Sequence, residues 1–273
     1  MNPTRSSLTR DLLALGVAPG DLLYVHSSLK AVGWLENGPD DVIDALLDAL
    51  GPEGTLAVPT HTVSYAAWGH PPFSPTAAPV HMGIVPTALI KRPEAHRSAH
   101  PTHASAAIGK LARALTDNHC ISDPLAEQSP LHRVMAWGGK ILLLGVGHTS
   151  NTSIHLAETL AGMPYITSPY DPGKTVVPLR FGADGSVEEV PQEQYPGCSD
   201  AFYLAESYLK EQGRITYGAV GNAVAQLMSS RELIETIHGI LAKDATFLLC
   251  HSPRCTCCPP RRKMMRELQA GAR

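Results

Sequence analysis

Apolar residues mark out the elements before any chemistry is considered. Leu8, Leu12, Leu13 and Leu15 recur at helical spacing and stop at Gly16, which predicts a short amphipathic opening helix. The stretch 21–26 (DLLYVH) is compact, apolar and too short for a helix, and it ends in small polar residues; it reads as a strand. Val42, Ile43, Leu46, Leu47 and Leu50 share one helical face, with an opening near Asp40 and a close at Gly51. Residues 55–59 (TLAVP) predict the next strand. Two strands joined by a helical crossover of this length are expected to lie parallel in one sheet.

Residues 60–86 lose this order in a proline-rich loop that contains THTVSYAAWGHPPFSPTAAPVHMG, and a loop of that length in a compact domain is usually functional. A helix over 86–92 and a turn over 95–103 follow. Residues 140–146 (KILLLGV) predict the clearest buried strand, ended by Gly145-Val146-Gly147. A helix over 152–161 is expected next, capped by Asn151 or Thr152. Residues 175–190 predict a hairpin turned at Ala183-Asp184-Gly185. Helices are expected over 200–212, 221–228 and 231–241, and a last strand over 246–250. There is no repeat and no clean linker. The expectation is therefore one α/β domain over 1–273, with a mixed, largely parallel sheet flanked by helices, and 251–273 forming a cysteine-rich, basic tail whose PPRRKMMREL stretch reads as a solvated face.

Composition narrows the function. The chain has 273 residues, is 44% hydrophobic and 17% charged, and carries 25 acidic against 22 strongly basic residues and 13 histidines. That is ordinary globular composition, and disorder is excluded for the bulk of the chain. A formal charge of -3 and a pI near 6.5 argue against nucleic-acid binding by phosphate neutralisation. No apolar run approaches the ~20 residues of a membrane span, and the N-terminus lacks a secretory pattern, so a cytoplasmic location is expected. The six cysteines do not form a disulfide framework: Cys120, Cys198 and Cys250 are scattered, while Cys255, Cys257 and Cys258 crowd the tail. Free thiols and no metal are expected.

Several constellations could carry chemistry. In GVGHTSNTSIHLAE (145–158) a strand delivers a glycine-relaxed turn into a helix. Asn151 and His155 are spaced i,i+4 and His155 and Glu158 i,i+3, so all three can share a stripe. A carboxylate beside an imidazole fixes its tautomer and raises its basicity, as a general base requires. A plain surface His–Glu pair is the alternative. His26-Ser27-Ser28-Leu29 follows the first strand and offers backbone N–H groups to an anion or a thioester carbonyl, or else is only a helix cap. The segment 97–105, with Arg97, His100 and His103, fits a phosphate; as a metal site it lacks a convincing third ligand. His251, Cys255, Cys257 and Cys258 count to four zinc ligands, but adjacent cysteines seldom both reach one ion, and no distant C-x-x-C partner exists. Asp184, Glu188, Glu189, Glu193 and Asp200 form an acidic stretch without lysine or arginine, which is either a polar hairpin edge or the lining for a cationic substrate.

Together the segments VHSSLKAVG, GPEGTLAVPT, RSAHPTHASAAIG, LLLGVGHTSNTSIHLAE and GAVGNAVAQLMSSRELIETIHGILAKDATFLL resemble the antibiotic N-acetyltransferase family, best known for aminoglycoside 3-N-acetyltransferases. Their order holds across nearly the whole chain, and LLLGVGHTSNTSIHLAE is close to diagnostic. The resemblance implies the family's own α/β fold, distinct from the GNAT fold, and direct acetyl transfer from acetyl-CoA to an amine, conferring resistance. It places the general base at His155 and its acidic partner at Glu158; Asn151 or Thr152 is expected to help. Acetyl-CoA binding is implied for His26, Ser27, Ser28, Leu29, Arg97, His103, Ala104, Ser105 and Ala106, and substrate binding for His61, Tyr65 and Glu193. No metal is required, and a homodimer is left open. The sequence also departs from the family's pattern. The loop THTVSYAAWGHPPFSP has no carboxylate, and QEQYPGCSDAF keeps Glu193 but not the acidic–histidine pair. Another amine of secondary metabolism, or hydrolysis of a CoA thioester by His155 and water, are the competing readings.

Overall fold

The computed structural model describes residues 2–64, 69–77, 82–119, 121–168 and 177–271. In chain order they form α1 (Arg5–Leu15), β1 (Leu22–Ser27), α2 (Leu29–Val32), α3 (Pro39–Leu50), β2 (Thr55–Pro59), α4 (Ile84–Leu89), β3 (His96–Arg97), β4 (Ser105–Gly109), α5 (Ala112–Thr116), α6 (Pro130–Ala136) and β5 (Lys140–Leu144). There follow α7 (Ser153–Leu160), the hairpin β6 (Leu179–Phe181) and β7 (Val187–Glu189), α8 (Ala205–Glu211), β8 (Thr216–Val220), β9 (Ala223–Ser229), α9 (Ser230–Leu241) and α10 (Cys258–Gly271).

Local chemistry explains the ends of the first helices. Thr4 caps α1 by accepting from the Ser7 N–H, and Ser7 returns a bond to the Thr4 backbone; Gly16, at φ 110°, closes the helix in a conformation glycine adopts without strain. Leu8, Leu12 and Leu15 are buried, whereas Leu13 lies on the exposed side. Pro39 stands at the start of α3, with Asp40 and Asp41 in its first turn.

The main sheet has the order β3-β4-β2-β1-β5-β9-β8. β2, β1 and β5 run parallel at its centre, with Leu22 opposite Thr55 and Tyr24 opposite Ile141; the four outer pairings are antiparallel. Central strands covered on both faces read as continuous apolar runs, which is why β1 and β5 stand out in the sequence. Leu23, Val25, Leu142 and Leu144 face α1 and α3, while Tyr24, Ile141 and Leu143 face the opposite layer of α5, α6, α7 and α9.

Three expectations are corrected here. Residues 221–228 are not a helix: β8 and β9 form a hairpin around Gly221 and Asn222, with Val220 paired to Ala223. Alanine-rich composition suits a helix, but pairing of β9 with β5 buries Ala225 and Leu227 in the sheet and overrides that preference. Residues 246–250 are a turn rather than a strand, closed by Phe247 N–H on the Asp244 carbonyl and Leu249 N–H on that of Thr246. Both flanks of β5 are already occupied, and Leu249 and Cys250 pack instead beneath α10. The basic tail is not a solvated face either, since Cys258, Arg261 and Met265 are buried against Tyr165 and Ile166. The short strand β3 lies inside 95–103, where the pattern predicts only a turn, and β4 follows just after it. No helix among the described residues is long and apolar enough to cross a membrane.

Candidate active site

The carboxyl ends of the three parallel strands point the same way, and a cavity of about 950 Å³ lies beyond them. Open α/β sheets commonly bind ligands at this position. β1 delivers His26 and Ser27, β2 delivers Pro59 and His61, and β5 leads through Val146 to Asn151 and His155. The facing wall comes from 196–200 and from Ser252, Arg254, Cys255 and Cys257. The turn after β5 needs glycine: Gly145 has φ 69°, and a Cβ there would meet the Ala31 Cβ at 2.5 Å.

His155 and Glu158 lie one turn apart on α7, both nearly buried. His155 Nδ1 is 2.6 Å from Glu158 Oε2, and the Tyr165 hydroxyl donates to Glu158 Oε1 at 2.8 Å. An ionised carboxylate only accepts, so Nδ1 carries the proton and Nε2 is left as the nitrogen able to exchange one. Phe202 sets its ring edge-on to the imidazole at 4.6 Å between centroids. Burial, with the Glu158 charge, pushes the Tyr165 hydroxyl far above its ordinary range, so it stays a donor. The alternative of a solvated surface pair is thereby excluded.

Other histidines here are held neutral. Burial brings His26 and His61 down to about 3 and His103 well below its ordinary value. His26 Nε2, Ser27 Oγ and His61 Nε2 are buried on the cavity wall with no hydrogen-bond partner among the described residues.

Residues 24–242 match the family model described as aminoglycoside 3-N-acetyltransferase. The chain belongs to the antibiotic N-acetyltransferase family. It is 38% identical to aminoglycoside N(3)-acetyltransferase IV from Salmonella over 251 residues, covering 91% of each chain. It is 40% identical to aminoglycoside N(3)-acetyltransferase VII from Streptomyces paromomycinus, over 85% of this chain and 89% of that one. Aminoglycoside acetyltransferase AAC(3)-IVa, as apoenzyme, superposes with a TM-score of 0.85 at 36% identity, covering 96% of this chain and 98% of that one. A histidine-to-alanine variant of the same enzyme was solved with a gentamicin (TM-score 0.83, 36% identity, 96% and 98% covered). AAC-IIIb was solved as a binary complex with CoASH (TM-score 0.76, 28% identity, 88% and 97% covered).

In this antibiotic N-acetyltransferase the expected site residues divide into two groups. His26, Ser27, Ser28, Leu29, His61, His103, Asn151 and His155 all line the cavity. Asn151 does not share a stripe with His155, because α7 begins only at Ser153; its Oδ1 accepts from the Ser153 N–H at 3.2 Å and its amide nitrogen lies 3.3 Å from His148 Nδ1. It braces the helix entrance. The Ser28 N–H is taken up by the Leu144 carbonyl at 2.9 Å, so it is not available to a ligand.

Arg97, Ala104, Ser105, Ala106 and Glu193 are not brought to the cavity wall. The Arg97 guanidinium donates to Thr60 Oγ1 and O at 3.1 and 2.8 Å and to the Pro75 carbonyl, and stacks 5.3 Å from the Phe73 ring centroid. Burial lowers it to about 10, which leaves it charged but engaged in holding the loop. Ser105 bonds the Tyr24 hydroxyl at 2.9 Å inside the sheet. His100 and His119 stack at 4.7 Å behind the wall, and His100 Nδ1 accepts from the Thr102 and His103 N–H groups. Glu193 is exposed. Tyr65 and Cys120 lie outside the described residues. The sequence reading missed Lys30 and Arg254, the two cationic side chains on the wall among the described residues, and Tyr165 behind Glu158. Lys30 was legible as a cation directly after HSSL; nothing in the sequence tied Arg254 or Tyr165 to α7.

Proposed function

We propose that the chain is an acetyl-CoA-dependent aminoglycoside 3-N-acetyltransferase that uses His155 as general base. The observation that carries this reading is the buried His155–Glu158–Tyr165 relay on the wall of a cavity at the carboxyl ends of the parallel strands. An amine is largely an ammonium at neutral pH and has no lone pair with which to attack. His155 Nε2 takes that proton, and Glu158 stabilises the imidazolium that results. The freed amine attacks the thioester carbonyl and the carbon–sulfur bond breaks; of the two protons the nitrogen gives up in becoming an amide, one ends on the departing CoA thiolate and the other leaves to solvent. Ser27 Oγ is the donor we assign to the developing oxyanion. Lys30 and Arg254, rather than Arg97, supply the positive charge for CoA phosphates. The chemistry needs no acyl-enzyme and no metal. Gentamicin and CoASH in complexes of the relatives support this pair of substrates.

A second acceptor class is favoured by one observation. Asp200 is the sole carboxylate among the described lining residues, apart from Glu158 behind His155, whereas a polycation calls for several. A smaller, less cationic amine fits that wall. The test is thiol release from acetyl-CoA against a panel of aminoglycosides and simple amines, with a control lacking acceptor. Release with an aminoglycoside, giving a product one acetyl heavier at the 3-amine, and raised resistance in an expressing host are expected. Release without any acceptor would replace the proposal with thioester hydrolysis, and release with simple amines alone would move the acceptor to the second class.

A further inference from the structure

We propose that Cys198, Cys250, Cys255 and Cys258 bind one zinc ion in a closed tetrahedral site that pins the tail to the 196–200 segment and so builds the outer wall of the cavity. The four Sγ atoms, from three separate parts of the chain, all lie within 4.8 Å of one another, and those of Cys198 and Cys250 are 3.6 Å apart. A tetrahedral zinc with sulfur at about 2.3 Å places its sulfurs about 3.8 Å apart, which matches that spacing. No disulfide is formed among the described cysteines. Cys255 and Cys258 stand in the C-x-x-C spacing of zinc knuckles, and Cys257, between them, is not one of the four. Instead it lies beside Gly197, where a Cβ would come 2.8 Å from its sulfur.

The surroundings suit thiolates. The Asp200 N–H donates to Cys198 Sγ at 3.4 Å and the Cys258 N–H to Cys255 Sγ at 3.3 Å. Zinc with four thiolates carries a charge of about -2, and positive groups surround it. Cys258 begins the fourteen-residue helix α10, whose amino end is electropositive. Arg262 donates to the Leu249 and Cys250 carbonyls. Arg261 is 2% exposed and makes no ion pair with a carboxylate among the described residues. A buried guanidinium needs compensation, and a tetrathiolate anion in the same corner supplies it. Binding releases the thiol protons to solvent as each S–Zn bond forms, and no electron is transferred.

Four protein ligands fill the tetrahedron and leave no position for substrate, so the ion is structural. Its effect on the cavity is nevertheless direct. Cys198 and Cys255 line the wall, and Arg261 lies 5.8 Å from the centroid of the Tyr165 ring, which in turn bonds Glu158. This departs from the free thiols expected from sequence, where Cys198 is remote from the tail and Cys250, just before it, is not counted with it. The proposal stands whatever amine the enzyme acetylates.

The test is metal analysis of the full chain purified reduced and without chelator, beside cobalt substitution. One zinc per chain is expected, retained in Cys257→Ser and lost in Cys198→Ser and Cys255→Ser. Cobalt added to the chelator-stripped wild type should give thiolate charge-transfer bands and the intense visible bands of a tetrahedral ion, and this arm holds even if the serine variants fail to fold. Absence of both zinc and those bands, a Cys198–Cys250 disulfide in the purified protein, a metal other than zinc, or loss of zinc in Cys257→Ser would overturn it.

Discussion

The two walls of the cavity are built in opposite ways. One is an extension of the sheet: His26, Ser27, His61 and His155 stand within a few residues of β1, β2 or α7, the three histidines buried and Ser27 half-buried by the same core that forms the fold. The other is assembled from 196–200 and the tail, neither of which contributes a strand to the main sheet. It brings the cysteine cluster together and is tied down by Arg261, which donates to the Ser168 and Tyr195 carbonyls at 2.8 and 2.6 Å. The first wall therefore carries the proposed base on a rigid support. The second shapes access to it and depends on a few polar contacts far apart in sequence.

The largest expected effect breaks the second wall alone. Arg261→Met leaves the Ser168 and Tyr195 carbonyls without their donor inside α10's packing, and should cost about 3 kcal/mol of stability. Denaturant unfolding checks this, and a loss below about 1 kcal/mol would mean the tail is only loosely docked. Glu158→Gln tests the first wall without changing its shape. The imidazolium loses its counter-charge, so kcat should fall about 100-fold, or about 2.7 kcal/mol in barrier. Folding, followed by circular dichroism, should be unaffected.

Acid separates the walls in another way. His26 and His61 sit at about 3 in the folded chain against 6.5 unfolded, so the unfolded chain binds the extra protons as pH falls. Their contribution is fully present above pH 6.5 and is lost as pH drops toward 3, at about 2 kcal/mol for each histidine by pH 5. Tm should decline over that window, and His61→Asn should flatten the decline. A Tm that does not fall between about pH 7 and pH 5 would contradict the neutral, buried state of these rings. The smallest effect compares two cations. Lys30→Ala should raise KM for acetyl-CoA about fivefold, roughly 1 kcal/mol, with kcat unchanged. Arg97→Ala should lower Tm and leave that KM nearly as it was; the opposite pattern would return the phosphates to Arg97.

The same contrast explains how much was legible. Strands buried on both faces, such as DLLYV and KILLL, announce themselves, and the i,i+3 spacing of His155 and Glu158 states their pairing before any coordinates. Helix boundaries near Gly16 and Gly51 follow from local chemistry in the same way. The β8–β9 hairpin was hidden because AVAQLM reads as well on a helix as on a strand, and only the flank of β5 decides. The second wall was hidden for a different reason. Cys198 lies 52 residues before Cys250, and no local period brings it to the tail cysteines. Arg97 misled for the converse reason: a cation in a promising motif is here engaged by Thr60 and the Pro75 carbonyl.

The central claim is that His155 acts as the base while other residues hold the substrates. The direct measurement is kcat of His155→Ala with saturating acetyl-CoA and acceptor, alongside calorimetric binding of acetyl-CoA to the same variant. The account predicts a fall in kcat of about 10²- to 10⁴-fold with the acetyl-CoA affinity unchanged. Wild-type turnover in His155→Ala, or a loss of activity fully explained by lost acetyl-CoA binding, would contradict it.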